Sequence, residues 1–92
     1  MSNPIKMNSE QIQNQVEAWA RTRDFTAPYG ILTGTHTNQK GIKYRSVTFG
    51  YSRTLDATVE IYNRNFIIVR TSRHDRQVFK NVAEMQQFLD TL

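Results

Sequence analysis

Cysteine is absent from the chain. That excludes a disulfide scaffold, a thiolate zinc site, iron–sulfur ligation and a cysteine nucleophile. Long apolar runs are absent as well. The longest, Phe66-Ile67-Ile68-Val69, falls far short of the roughly 20 residues a membrane-spanning helix needs. The first residues, Met1-Ser2-Asn3-Pro4, lack the basic-then-apolar pattern of a signal peptide. A cytoplasmic protein with no membrane partner is therefore expected. Histidine is scarce: His36 and His74 are the only two, and they do not stand at paired ligand spacing. Neither a metal nor a cofactor is expected. No glycine-rich phosphate loop, serine-nucleophile signature or paired-carboxylate pattern occurs. No catalytic residue is assigned, and a non-enzymatic protein is expected. One enzymatic alternative has His36, His74 and a neighbouring arginine cleaving RNA by acid–base chemistry.

What remains is a lean but foldable chain. Its 92 residues, 38% apolar and 11% aromatic, suffice for one small domain spanning the whole sequence, without repeat, linker or low-complexity segment. A domain of this size has little stability to spare, and self-association into a homo-oligomer would add burial.

The pattern along the chain predicts an α+β fold: an antiparallel sheet of three to five strands flanked by an N-terminal and a C-terminal helix. Asn8 and Gln11 form a capping-box pair, with Met7 and Ile12 as a hydrophobic staple. Ile12, Val16, Trp19 and Ala20 then recur at helical spacing, so a helix is predicted over 9–22, with Gln13, Gln15 and Glu17 mostly on its other side. The segment from Phe25 to Gly30 contains Pro28 and breaks the pattern. Strands are predicted at Ile31–Thr37, Ile42–Tyr51, Ala57–Tyr62 and Phe66–Thr71, with a short addition at Gln77–Lys80. Within Ile42–Tyr51 the apolar parity changes, which either a bulge near Arg45-Ser46 or a strand covered on both faces would reconcile. A second helix starts at Asn81, its cap supported by Glu84, with Val82, Met85, Leu89 and Leu92 as its stripe and Phe88 beside it.

If Asn63-Arg64-Asn65 is a three-residue turn, Tyr62 opposes Phe66, Ile61 opposes Ile67, Val59 opposes Val69 and Thr58 opposes Arg70. One face of this hairpin then holds Ala57, Val59, Ile61, Ile67, Val69 and Thr71, a core face for the helices. The other carries Thr58, Glu60, Tyr62, Phe66, Ile68 and Arg70, and reads either as a second covered layer or dimer interface, or as a platform on which bases stack.

Charge sharpens the second option. The net charge of +4 is distributed as zero over residues 1–39, +6 over 40–80 and −2 over 81–92. The basic groups of the central segment are mostly arginine, whose planar fork suits phosphate, and aromatic residues are interleaved with them. The candidate nucleic-acid-binding set is Lys40, Lys43, Arg45, Arg64, Arg70, Arg73 and Arg76 with Tyr62 and Phe66. No helix is strongly basic, so RNA or single-stranded nucleic acid is expected rather than duplex DNA. Six neutralised phosphates would give a salt slope of about −4. The stretch Lys43-Tyr44-Arg45-Ser46-Val47-Thr48-Phe49-Gly50-Tyr51 lacks the Gly-aromatic-Gly core of an RNA-recognition motif, and no helix separates the central strands; that fold is excluded.

In size, lack of cysteine and helix–sheet–helix layout, the chain resembles small accessory proteins of T-even-like phages. The resemblance carries no motif, and no residue role is transferred with it. It implies host takeover or the blocking of a defence system, either by binding a host protein or, for basic members, through RNA, as with inhibitors of ribonuclease toxins. Two functions follow: an RNA-binding inhibitor, or a protein-interaction module whose aromatic sheet face engages a host protein directly.

Overall fold

The computed structural model describes residues 7–23, 30–51 and 55–92. The predicted break at residues 25–29, and Arg53 in the connection after the second strand, lie outside them. The element order is α1 (Ser9–Thr22), β1 (Leu32–Thr37), β2 (Lys43–Gly50), β3 (Asp56–Asn63), β4 (Phe66–Thr71), β5 (Gln77–Phe79) and α2 (Val82–Leu89). The strands form one antiparallel sheet in sequential order β1-β2-β3-β4-β5, as short connections between neighbouring strands favour. This is an α+β fold with a five-stranded sheet flanked by the two helices.

Both helices start where side chains replace missing backbone partners. Asn8 Oδ1 accepts from the Gln11 amide at 2.8 Å, and Gln11 Oε1 accepts from the Asn8 amide at 3.0 Å. Asn81 Oδ1 likewise accepts from the Glu84 amide at 2.8 Å. A capped helix still needs a buried face to persist, because short helices are marginal alone. Ile12, Val16 and Ala20 of α1 and Met85 and Leu89 of α2 supply it, joining Val47, Phe49, Ala57, Val59, Ile61, Ile67 and Val69 of the sheet in one core. The helices lie side by side on one sheet face. Trp19 Nε1 donates to Asp90 Oδ1 at 2.9 Å, and Gln15 meets Gln86 at 3.4 Å. The shortest dimension of the molecule is 20 Å, which holds one sheet and one helix layer.

Three details depart from the sequence reading. Gln13 is buried rather than solvated: its amide nitrogen donates to the carbonyls of Gly34 and Ser46, both at 3.1 Å. β2 has no bulge at Arg45-Ser46, since its pairing with β1 and β3 runs through both residues without a shift. The parity change has another origin. Ile42 lies outside the strand, and Tyr44 belongs to the face opposite Val47 and Phe49. The β3–β4 hairpin is also closed differently. Asn63, not Tyr62, pairs with Phe66, and a register shift between Ile61 and Asn63 absorbs Tyr62 as an extra residue. Asn63 Oδ1 tightens the turn by accepting from the Asn65 amide at 2.8 Å. The Ile61–Ile67, Val59–Val69 and Thr58–Arg70 pairs form as expected.

Candidate nucleic-acid interface

Beyond the Gly50–Asp56 pair, the registers place three rows of side chains on the sheet face away from the helices. One row holds Leu32, Thr48, Thr58 and Arg70. The next holds Gly34, Ser46, Glu60, Ile68 and Val78. The third, nearest the β1–β2 and β3–β4 turns, is aromatic. His36, Tyr44, Tyr62 and Phe66 succeed one another across β1 to β4, with ring centroids 5.1, 4.9 and 5.2 Å apart. Tyr44 and Tyr62 are nearly parallel at 26°, whereas Phe66 is turned 53° from Tyr62. Such offset and tilted pairs are the arrangement that ring quadrupoles favour. The bulge at Tyr62 is what brings its ring beside Phe66 even though the backbone pairs Phe66 with Asn63.

Polar side chains on this face are matched pairwise. His36 Nε2 and Ser46 Oγ are 2.8 Å apart, Thr48 and Thr58 hydroxyls 3.1 Å, and Arg70 Nε lies 3.1 Å from Glu60 Oε2. Gly34 leaves room for the imidazole: a Cβ there would stand 2.9 Å from His36 Nε2 and displace the ring. His36 is thus held flat against its strand, poised at the start of the aromatic row.

At the other end of the row the face deepens into a concavity of about 540 Å³, lined by the β1–β2 turn, Tyr62, Asn63, Phe66, Ile68, Arg70 and Arg76. Its turn wall is internally braced. Asn38 Oδ1 accepts from the amides of Lys40 at 2.9 Å and Ile42 at 3.0 Å, and Gly41 takes the positive φ of 81° that closes the loop. A smaller hollow of about 320 Å³ lies where Arg64 and Asn65 meet Met7, Asn8 and Ser9 at the start of α1.

The sequence-derived residues divide accordingly. Tyr62, Phe66, Lys40, Arg70 and Arg76 come together at the larger concavity. Arg64 stands in the adjoining turn, beside Tyr62, at the smaller one. Arg73 is exposed in the loop after β4, at the far end of that strand from Arg64. Arg45 does not join them. It points into the helix layer, donating to Gln13 Oε1 at 3.2 Å and facing Glu10 Oε2 at 3.7 Å. Lys43 shares that side by strand alternation. The two histidines are not brought together either. His36 lies in the aromatic row, while His74 sits edge-on to Phe88 of α2 at 5.7 Å. Tyr44 and His36 are the members of this surface that sequence reasoning missed. The alternation of Tyr44 with Arg45, Val47 and Phe49 was the available signal.

Comparison with protein-family models, curated proteins and solved structures finds no match to this chain.

Proposed function

We propose that the protein is a non-enzymatic binder of single-stranded nucleic acid, RNA foremost, acting through the helix-free face of its sheet. The observation that carries this reading is the four-ring row from His36 to Phe66, ending among the cations of Lys40, Arg70 and Arg76. Unpaired bases offer π faces to such rings, and each base stacked contributes roughly 1–3 kcal/mol. Bases inside a duplex are already stacked and cannot enter. With Arg45 turned to the helices, Lys40, Arg64, Arg70 and Arg76 are the cations that line the two hollows beside Tyr62. About four phosphate contacts then give a salt slope of about −3, at roughly 0.7 per phosphate for single strands.

A binder of this kind suits the inhibitor role implied by the likeness to phage accessory proteins. Fluorescence anisotropy with matched single-stranded RNA, single-stranded DNA and duplex, from low to physiological salt, tests the reading. RNA binding that weakens along that slope supports it; no binding at low salt, or a flat response, overturns it. Leu32 and Val78, 56% and 46% exposed on the outer strands of the same face, favour the second reading, a protein partner. Co-purification separates the two: nuclease-sensitive absorbance belongs to the first, a stoichiometric protein to the second.

A further inference from the structure

The larger concavity differs from the rest of the open face in shape and in charge. Its floor is Ile68, only 2% exposed although no helix covers it. Tyr62 and Phe66 form one wall. Because the two rings diverge by 53°, they do not close on each other as Tyr44 and Tyr62 do. Across from them, the β1–β2 turn presents Ile42, an apolar side chain left 50% exposed. A planar apolar group entering here meets ring carbon on one side and aliphatic carbon on the other.

The polar lining is of one kind. Lys40, Arg70 and Arg76 border the concavity, and among the described residues no carboxylate does. Arg70 is engaged by Glu60. Lys40 and Arg76 have no ion-pair partner among the described residues. Two uncompensated cations beside an aromatic wall are complementary to a ligand that joins a flat ring to an anion. The amides of Asn38 and Asn63 add hydrogen-bonding groups at the ring's edge. The volume falls in the range of small-ligand sites, and the turn's own hydrogen bonds hold the wall in place before any ligand arrives.

We infer that this concavity is a nucleotide subsite, taking one base between Phe66 and Ile42 and its phosphate between Lys40 and Arg76. The inference rests on the nucleic-acid reading and narrows it, because the subsite fits a single nucleotide whether it comes free or as part of a strand.

The test uses the full chain, isotope-labelled, with AMP, adenosine and inorganic phosphate as probes at low salt, and a fluorescent hexaadenylate in parallel. AMP is expected to shift the backbone amides of residues 38–42 and 66–68 and to leave those of α1 unmoved. Adenosine and phosphate alone should bind at least tenfold more weakly. Because Lys40 and Arg76 are both exposed, K40A and R76A retain the fold; together they should lower affinity for AMP more than tenfold, and affinity for the hexanucleotide with it. Should the hexanucleotide bind while AMP shifts nothing in the turn or β4, or should the double variant bind both unchanged, the subsite is overturned and the broader reading stands. AMP binding in the concavity without hexanucleotide binding establishes the subsite and overturns the strand-binding reading. If neither probe binds, both fall.

Discussion

The two faces of this sheet are built from the same five strands and hold themselves together in opposite ways. On the helix side, Val47, Val59, Ile61, Ile67 and Val69 lose all contact with water, and burial of apolar area is the stabilising term. On the open side, polar groups are satisfied neighbour by neighbour across the strands, and half-buried rings lie beside the exposed Leu32 and Val78. The helix face is packed in depth, with each residue pressed from the sheet and from above. The open face is held only laterally, so its outer surface remains available. The difference teaches where function can sit: a side chain that already supports the core has no surface to offer, whereas a laterally braced ring does.

The strongest way to break that contrast is to delete core volume. Ile61→Ala should cost about 2–5 kcal/mol, as buried isoleucine truncations do, read by urea denaturation. That is a large share of a small domain's total stability. Next comes Gln13→Ala, which removes the donor to the Gly34 and Ser46 carbonyls and the acceptor for Arg45. A loss of about 1–3 kcal/mol is expected, the range for buried polar groups left without partners. Tyr62→Ala, on the other side of the same strand, should cost about 1–3 kcal/mol of stability through its two ring pairs, while lowering RNA affinity about tenfold, the lower part of the stacking range. If Tyr62→Ala unfolded the protein as readily as Ile61→Ala, the open face would be a second core and the contrast would fail. The smallest effect belongs to Glu60→Gln. Its partner Arg70 is half exposed, where ion pairs contribute about 0–1 kcal/mol, and Gln keeps the shape of the side chain, so stability should barely move. Freed Arg70 should instead strengthen RNA binding slightly and steepen its salt slope by about 0.7, the value of one further phosphate contact.

Local signals carried much of this fold. The capping pair of Asn8 and Gln11 and the cap at Asn81 marked the helix starts because a cap is chosen by residues three positions apart. Strict alternation in Ala57–Tyr62 and the run Phe66–Thr71 located the central hairpin and three of its cross-strand pairs. Gln13 was misplaced because its chemistry outweighed its position. It precedes Val16 and Ala20 by three and seven residues, which puts it on the buried stripe. Arg45 stands apart from the ring row for a different reason. What fixes its direction is α1, more than 30 residues earlier in the chain, and no local pattern reports such a contact. The Tyr62–Phe66 neighbourhood was foreseen through the wrong backbone pairing, since a bulge can preserve a side-chain contact while moving the register. The concavity itself was illegible, because it depends on how the β1–β2 turn leans over strands that are distant in sequence.

The position of Trp19 has an optical consequence. The chain has a single tryptophan, set edge-on to Phe49 at 5.6 Å and hydrogen-bonded to Asp90. It lies in the helix layer, with the sheet between it and the open face. Excited selectively, its indole therefore monitors whether the helices are seated and does not touch a ligand on the aromatic row. Tyrosine emission draws on both sides, because Tyr44 and Tyr62 stand in that row whereas Tyr51 packs against the core. The tryptophan alone thus gives a label-free signal of helix seating, against which any change confined to tyrosine emission can be read.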